Sequence, residues 1–599
     1  SNSTEKTMTD YTAPLDEMNF LVNDVLGIAD IAALPGYEEC STELVEAIYG
    51  EAGRYFSEVI APTNQSADSE GCRVEDGAVV SAPSLDGLYK GFVEGGWPAL
   101  TGDPQFDGQG MPHLAGVGVE EMCQSANLSF SLLPLLTKGV ITAIERFASD
   151  EQKASYLPQL ISGEWTGTMN LTESQAGSDL AAVRAKAVPV DDHYLISGQK
   201  IFITWGDHSY TDNIVHLVLA RTPDAPEGVK GISLFIVPKF ILDAEGNPGQ
   251  RNDVYPVSVE HKMGIHASPT CVLSFGDNGG AVGYLIGKEN EGLSYMFAMM
   301  NHARLAVGLQ GVSIAERAYQ QAVSYARDRV QGNAPGQPER VAIIHHADVR
   351  RMLMLMKSQT EAARVLSYSA FAHWDFFSHS DDADTRAYHQ RRIDILTPLV
   401  KALSTEVGNE VAYIGVQVHG GMGFIEETGA AQYMRDARIL PIYEGTNGIQ
   451  ALDLIGRKLL RDKGAAASEL FADLKQDLQC ANELGLENLA QPVLHSFDLC
   501  EQAIQFVFEQ ARSDAHFVGA VAFDLLLLIS NSVAAALMAK SAVVAQQQLN
   551  AGSDKARFNK TKLATVRFYI EHVLPRTEAY YRALKNGQAS TMAIDADAF

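Results

Sequence analysis

The run "HYLISGQKIFIT", residues 193–204, is rich in β-branched and aromatic residues and ends in an alternating stretch closed by Thr204. That is the period-2 texture of a strand. "NIVHLVLAR" (213–221) and "KGISLFIVPKF" (230–240) repeat it, with Ser-Gly and Pro-Glu-Gly breakers. Together they predict an antiparallel sheet over residues 166–288, ending near "GYLIGKENEGL".

Outward from this sheet the period changes to that of helices. Residues 38–165 carry segments such as "STELVEAIYGEAGRYFSEVIAPT", while "SADSEGCRVEDGAV" reads as a polar loop. Residues 1–37 are an N-terminal extension whose first residues resemble a tag remnant, with a native start at Met8. Long helices return over 289–461, with loops expected at "QGNAPGQPER" and "FFSHSDDADTRAY". "RDKGAAASE" leads into a further helical domain, 464–599. Its apolar stretch from Phe517 is interrupted by Asp524, Ser530, Asn531 and Ser532. This predicts a buried bundle helix and no membrane span.

The 599 residues are too many for one core. With 46 basic and 74 acidic residues the formal charge is −28, which repels phosphate backbones and argues against a nucleic-acid partner. Six scattered cysteines suit a reducing compartment and neither a disulfide framework nor a metal site. No export signal is visible, so the expected location is cytoplasmic.

Six stretches can carry chemistry. "MNLTESQAGSDL" (169–180) brings hydroxyls and a close-approach Gly177 to the edge of the sheet. In "GQKIFITWG" (198–206) the Thr204 hydroxyl stands at a strand end beside aromatics. "GVQVHGGMGFIEE" (415–427) lacks a preceding strand, so its glycines do not form a Rossmann turn; they let backbone amides approach a pyrophosphate or a neighbouring subunit. "MMNHARLAVG" and "YARDRVQGN" place Arg304 and Arg329 on helices, as an acidic protein binding a phosphate-rich ligand requires. Last, "RILPIYEGTNGIQALDLIGRKLL" (438–460) sets Glu444 between an apolar tetrad and a Gly-Thr-Asn turn. Two readings compete there. A desolvated carboxylate would have its pKa raised toward the range of a general base, whereas a solvated one would merely favour the start of a helix.

In order and spacing, "LTE..AGSD", "FIT.G", "Q..GG.GF" and "YEGTN.IQ" resemble the acyl-CoA dehydrogenase family over roughly residues 40–460. The extra C-terminal block, "HKMGIHASPTCVLSFG" and "MFAMMNHARLAVGLQG" resemble its long subgroup, which includes 3-methylmercaptopropionyl-CoA and long bacterial fatty acyl-CoA dehydrogenases. The resemblance implies an α+β fold of the acyl-CoA dehydrogenase type. Its parts would be an N-terminal helical domain, a middle antiparallel β domain, a C-terminal four-helix bundle and an additional C-terminal helical domain.

It also implies FAD, an acyl-CoA substrate oxidised to the trans-2-enoyl-CoA, and an electron-transfer flavoprotein as acceptor. Glu444 would take the pro-R α-proton. Met169, Leu171, Thr172, Phe202 and Thr204 would lie at the flavin, and Thr446 at the adenosine part. Arg329, Gln417, Gly420 and Gly421 would hold the FAD pyrophosphate of a partner subunit, which makes the protein a homo-oligomer, a dimer or a dimer of dimers. Ser178, Asn301, Arg304, Tyr443 and Gly445 would lie on the substrate side, with no metal involved.

Departures from the family pattern are Ser174, Trp205, Asn301 and Gly448. None removes a catalytic group. His419 reads as a packing residue near the pyrophosphate. An acyl-CoA oxidase on the same scaffold stays open. A DNA-associated flavoprotein is disfavoured by the acidic runs "SELFADLKQD" and "NELGLEN". Met296, Met299 and Met300 would suit a sulfur-containing or an ordinary acyl chain, or simply the helix core.

Overall fold

A computed structural model of the chain describes residues 10–599. The expected tag remnant and the start at Met8 lie outside the described residues. Helical structure begins earlier than the sequence pattern predicts, with short helices at Leu15–Asn19 and Ile28–Ala32. In helix Thr42–Tyr55, Ser41 is the N-cap, its hydroxyl accepting the Leu44 N–H at 3.1 Å.

"SADSEGCRVEDGAV" is not a plain loop. It ends the helix Asn64–Glu70 and then forms a hairpin, Arg73–Glu75 with Ala78–Val80. Asp76 and Gly77 turn it with φ of 51° and 75°, the doubly left-handed geometry that matches strand twist.

The main sheet has eight strands: β1 (Thr166–Asn170), β2 (Lys186–Val190), β3 (His193–Thr204), β4 (Ile214–Ala220), β5 (Ser233–Pro238), β6 (Val254–Val259), β7 (Thr270–Phe275) and β8 (Ala281–Leu285). Their order is β6-β7-β3-β8-β5-β4-β1, with β2 paired to β3. The expected antiparallel domain needs one correction. β1 runs parallel to β4, with Thr166 opposite Ile214, because the chain leaves β1, builds β2 and β3, and returns in the same direction.

β4 is buried on both faces, which explains a sequence that is apolar except at His216, whose ring is held by the Thr168 hydroxyl. Val215, Leu217 and Leu219 pack toward Val140, Ile144 and Leu157, while Val218 and Ala220 join Phe235 and Val237 on the other face.

The chain divides into two compact units. One comprises Glu58–Met111 and Ala126–Ala303 and contains the sheet; the other comprises the described residues up to Ser57, Pro112–Ser125 and Arg304–Phe599. Within the second unit, helix α1 (Gly292–Asp328) continues from Arg304 and is joined by α2 (Ala347–His379) and α3 (Ala383–Val418).

The two loops expected here are shorter than predicted. "QGNAPGQPER" falls in a hairpin, Val330–Asn333 with Arg340–Ala342. "FFSHSDDADTRAY" is helical except at 380–382, where Asp382 caps α3 through the Thr385 N–H at 2.9 Å. Its polar residues lie on helix ends, not in a long loop.

Past helix α4 (Asn447–Asp453) and the helices Ala465–Gln476 and Glu487–Gln510 lies α5 (Phe517–Asn550), through which the C-terminal helices pack on α2, α3 and α4. Among the described residues two helices, Leu128–Phe147 and α5, are long and apolar enough to cross a membrane by length and composition alone. In α5, however, 83% of the apolar window is buried inside the protein, as a bundle helix requires.

Candidate active site

Glu444 lies in the loop 441–446, immediately before α4. It and Gly445 take consecutive left-handed conformations, φ 55° and 86°. A non-glycine residue held there marks local strain that the surroundings must support. Thr446 ends the loop as the N-cap of α4, its hydroxyl accepting the Ile449 N–H at 3.2 Å. The side chain of Glu444 is open to solvent on one side. Protein crowds the rest, and this desolvation raises the carboxyl above its ordinary pKa against the opposing pull of Lys401 and Arg304.

The walls are polar and partly unsatisfied. Arg304, buried on α1, lies 3.5 Å from Asp453 and would touch any Cβ placed on Gly445. The Tyr443 hydroxyl donates to Gln310 Oε1, and Gln450 Nε2 donates to the Gly445 carbonyl at 3.1 Å. Arg304 Nε, Gln310 Nε2 and Gln450 Oε1 are buried without partners, and among the described residues no acceptor takes the Glu444 N–H. Such orphaned groups fit a site that a polar ligand completes.

The expected flavin-side residues cluster in the sheet unit. The Ile201 N–H donates to the Thr172 carbonyl at 2.9 Å, setting the chain that leaves β1 beside the end of β3. Between the pairs Lys200–Leu273 and Ile203–Cys271, two residues of β3 oppose one of β7. The alternation read from the sequence therefore breaks in a bulge. Phe202 takes φ 58° and exposes 59% of its surface, while Trp205 is buried with its indole N–H on the Ser129 carbonyl at 2.9 Å. Met169, Leu171, Thr172 and Thr204 are half-buried nearby, and Ser178 is exposed beside an open Gly177. Asn301 is half-buried on α1.

A buried ion pair underlies this edge. Lys200 Nζ donates to Glu173 Oε2 at 2.7 Å and to the Leu171 carbonyl at 3.2 Å, and the Glu173 carboxylate also accepts the Arg184 and Ala185 N–H groups. Although desolvation opposes ionisation, Lys200 and these amides hold the Glu173 carboxyl below its usual range. Lys200→Met would leave that carboxylate buried and unpaired, a loss of about 3–5 kcal/mol. The expected result is a lower unfolding midpoint together with loss of FAD, read by thermal denaturation and flavin absorbance.

Arg329, Gln417, Gly420 and Gly421 are all exposed in the helical unit. A Cβ at Gly420 or Gly421 would meet nothing within 4 Å, so the backbone there is open to close approach. Met422 and Phe424, next to them, expose 49% and 87% of their surface. His419 is buried, with Nδ1 donating to the Gly415 carbonyl at 2.6 Å and its ring 4.6 Å from that of Tyr325, so it packs as expected.

Four domains of one family match in order. They are the acyl-CoA dehydrogenase N-terminal domain (42–164), middle domain (168–278) and C-terminal domain (290–460), and the acetyl-CoA dehydrogenase C-terminal-like domain (470–595). A 3-methylmercaptopropionyl-CoA dehydrogenase of Ruegeria pomeroyi is 46% identical over 95% of this chain and 97% of its own.

The chain belongs to the acyl-CoA dehydrogenase family.

As an acyl-CoA dehydrogenase it is an FAD-dependent oxidoreductase, with the α+β fold and extra C-terminal helices expected from the motifs. A butyryl-CoA dehydrogenase of Syntrophomonas wolfei is 34% identical over 98% of this chain and 99% of its own. The structure of an acyl-CoA dehydrogenase complexed with FAD from Bacillus anthracis shares the fold. Its TM-score is 0.73 at 22% identity, over 94% of this chain and 91% of the other. In the sheet unit the residues present fit the cofactor: an exposed aromatic ring on a bulge, half-buried Thr204, the buried and unpartnered Asn170 Oδ1, and open glycine backbone at Gly177.

Sequence reading missed Glu173, Lys200, Gln310, Lys401 and Asn447. A signal existed for the two lysines: Lys401 is a single cation inside the apolar run "TPLVKAL", and Lys200 is a single cation at the head of the apolar run "KIFI".

Proposed function

We propose that this acyl-CoA dehydrogenase converts 3-methylmercaptopropionyl-CoA to its trans-2-enoyl thioester, with Glu444 as the base. The observation that carries the role of Glu444 is its raised carboxyl in a strained, polar-walled loop. An α-proton is too weakly acidic for an ordinary carboxylate, and desolvation supplies the missing basicity. The Glu444 carboxylate takes the α-proton, the electron pair of that C–H bond becomes the Cα=Cβ bond, and the unpaired Glu444 N–H donates to the thioester carbonyl oxygen as negative charge builds there. When bound, FAD supplies the acceptor for the β-hydride.

Met169, Leu171, Thr172, Phe202 and Thr204 hold the flavin, and Thr446 contacts the adenosine part. Arg329, Gln417, Gly420 and Gly421 hold the pyrophosphate across a subunit boundary, which makes the enzyme an oligomer. Ser178, Asn301, Arg304, Tyr443 and Gly445 serve the thioester side. An electron-transfer flavoprotein in the cytoplasm takes the electrons.

The substrate assignment is supported by the relative at 46% identity. The butyryl-CoA relative supports a second reading, a fatty acyl chain. Turnover of the FAD-loaded enzyme with an electron-transfer flavoprotein, across thioesters of increasing chain length, separates the two. The highest kcat/KM is expected for 3-methylmercaptopropionyl-CoA, and a maximum at an unbranched fatty acyl-CoA would replace it.

A further inference from the structure

Lys401 is wholly buried on α3, among Leu399, Val400, Ala402 and Leu403, where an apolar residue of the same length would fill the space without desolvating a charge. Its ammonium donates to the Leu440 carbonyl at 2.9 Å and to Asn447 Oδ1 at 3.1 Å, the residues on either side of the loop 441–446. The loop is closed on itself by the Asn447 N–H, which donates to the Pro441 carbonyl at 3.0 Å. Asn447 is held in turn by α3, its amide donating to Thr405 Oγ1 at 3.0 Å and Glu406 Oε1 at 2.9 Å. The strained pair Glu444 and Gly445 thus hangs from two tethered ends, and one lysine bonds to both.

We propose that Lys401 is a positioning residue for Glu444, fixing both ends of its loop and acting on its carboxylate as an uncommitted buried cation. The inference rests on the reading of Glu444 as the base.

The charges around the site support it. Lys200 and Lys562 are also buried, but each is ion-paired to a carboxylate, whereas Lys401 makes no ion pair among the described residues. Its hydrogen-bond partners are neutral oxygens, so its field falls on the Glu444 and Glu406 carboxylates, Glu444 the more strongly. Arg304 on α1 is the other cation facing that carboxylate, and it is drawn toward Asp453. Tyr443 adjoins Glu444, and Glu406 faces Lys401 from its own helix. Burial lowers Lys401 to about 7, with Glu444 and Glu406 opposing and Arg304 reinforcing the shift. Lys401 and Glu444 therefore each favour the charged form of the other.

The test is the rate of anaerobic flavin reduction by substrate against pH, in FAD-loaded wild type, Lys401→Met, Asn447→Ala and Glu444→Gln. In wild type the rate falls as pH drops through the raised pKa of Glu444, because only the ionised base works. Lys401→Met removes the cation that favours ionisation, so this acid limb is expected to move to higher pH by about one unit. Its maximal rate is expected to fall about 10²-fold from misplacement of the carboxylate, with KM little changed. Asn447→Ala keeps the charge but frees the loop, so the rate is expected to fall about 10-fold with the limb in place.

A wild-type rate and limb in both Lys401→Met and Asn447→Ala overturn the positioning role. If Lys401→Met does not accumulate with FAD, Asn447→Ala decides, a wild-type rate rejecting the tether. Fast bleaching in Glu444→Gln instead removes the base reading itself, which separates the two failures.

Discussion

Glu444→Gln is expected to keep the fold and bind FAD while substrate-driven flavin bleaching falls about 10⁴-fold, the upper range for removal of a general base. The amide has nearly the same shape and preserves the backbone N–H, so substrate binding and polarisation of the carbonyl survive. What is lost is a lone pair basic enough to accept an α-proton. The wild-type carboxyl is raised by desolvation, with Lys401 and Arg304 restraining the rise, so it is more basic than a surface glutamate yet still ionisable. Rapid anaerobic mixing of the variant with substrate checks this, and the residual rate should show no acid limb because no carboxyl titrates there.

Gly445→Ala is expected to lower the rate of flavin reduction about 10²-fold with FAD still bound, the scale of loss when a reacting group moves by about 1 Å. Two effects add. The backbone φ of 86° favours glycine, and the new Cβ would lie 2.6 Å from Gln450 Nε2 and 3.3 Å from the Arg304 guanidinium. Either the loop or those side chains must shift, and both choices move Glu444. Single-turnover rates at saturating substrate, with flavin content measured in the same samples, distinguish this displacement from loss of cofactor.

Local pattern carried the architecture where a single period governs a segment. The strand regions 193–204, 214–220 and 233–238 follow from β-branched and aromatic runs, and α5 follows from an apolar stretch broken by a few polar residues. Pairing was harder to read. The parallel contact of β1 with β4 and the bulge at Phe202 depend on which strand arrives alongside, and no feature of "GQKIFIT" shows that two of its residues face one of β7. Polar composition also misled at 66–79, where Asp76-Gly77 is a hairpin turn, and at 376–388, where charged residues belong to helix ends.

Around the active site, Glu444 stood out because a carboxylate beside an apolar tetrad is unusual. Lys401 did not, and Arg304 stood out for the substrate side and not for its pull on the carboxylate. Arg304 and Lys401 come from helices far away in the chain, and only folding brings them to the loop. Lys401 and Lys200 are instructive together. In each, a lysine within or at the head of an apolar run turns inward and fastens a segment that carries candidate site residues, the Glu444 loop in one unit and the end of β1 in the other. A lone cation in such a run is thus a sequence signal for a loop tether.

The most direct measurement is anaerobic mixing of the FAD-loaded protein with 3-methylmercaptopropionyl-CoA, following flavin absorbance and analysing the thioester by mass. The account predicts that the yellow colour is lost in a single turnover and that one enoyl-CoA, two hydrogens lighter than the substrate, forms per flavin. Retention of full flavin colour with this thioester and with saturated acyl-CoA substrates of every length would contradict it.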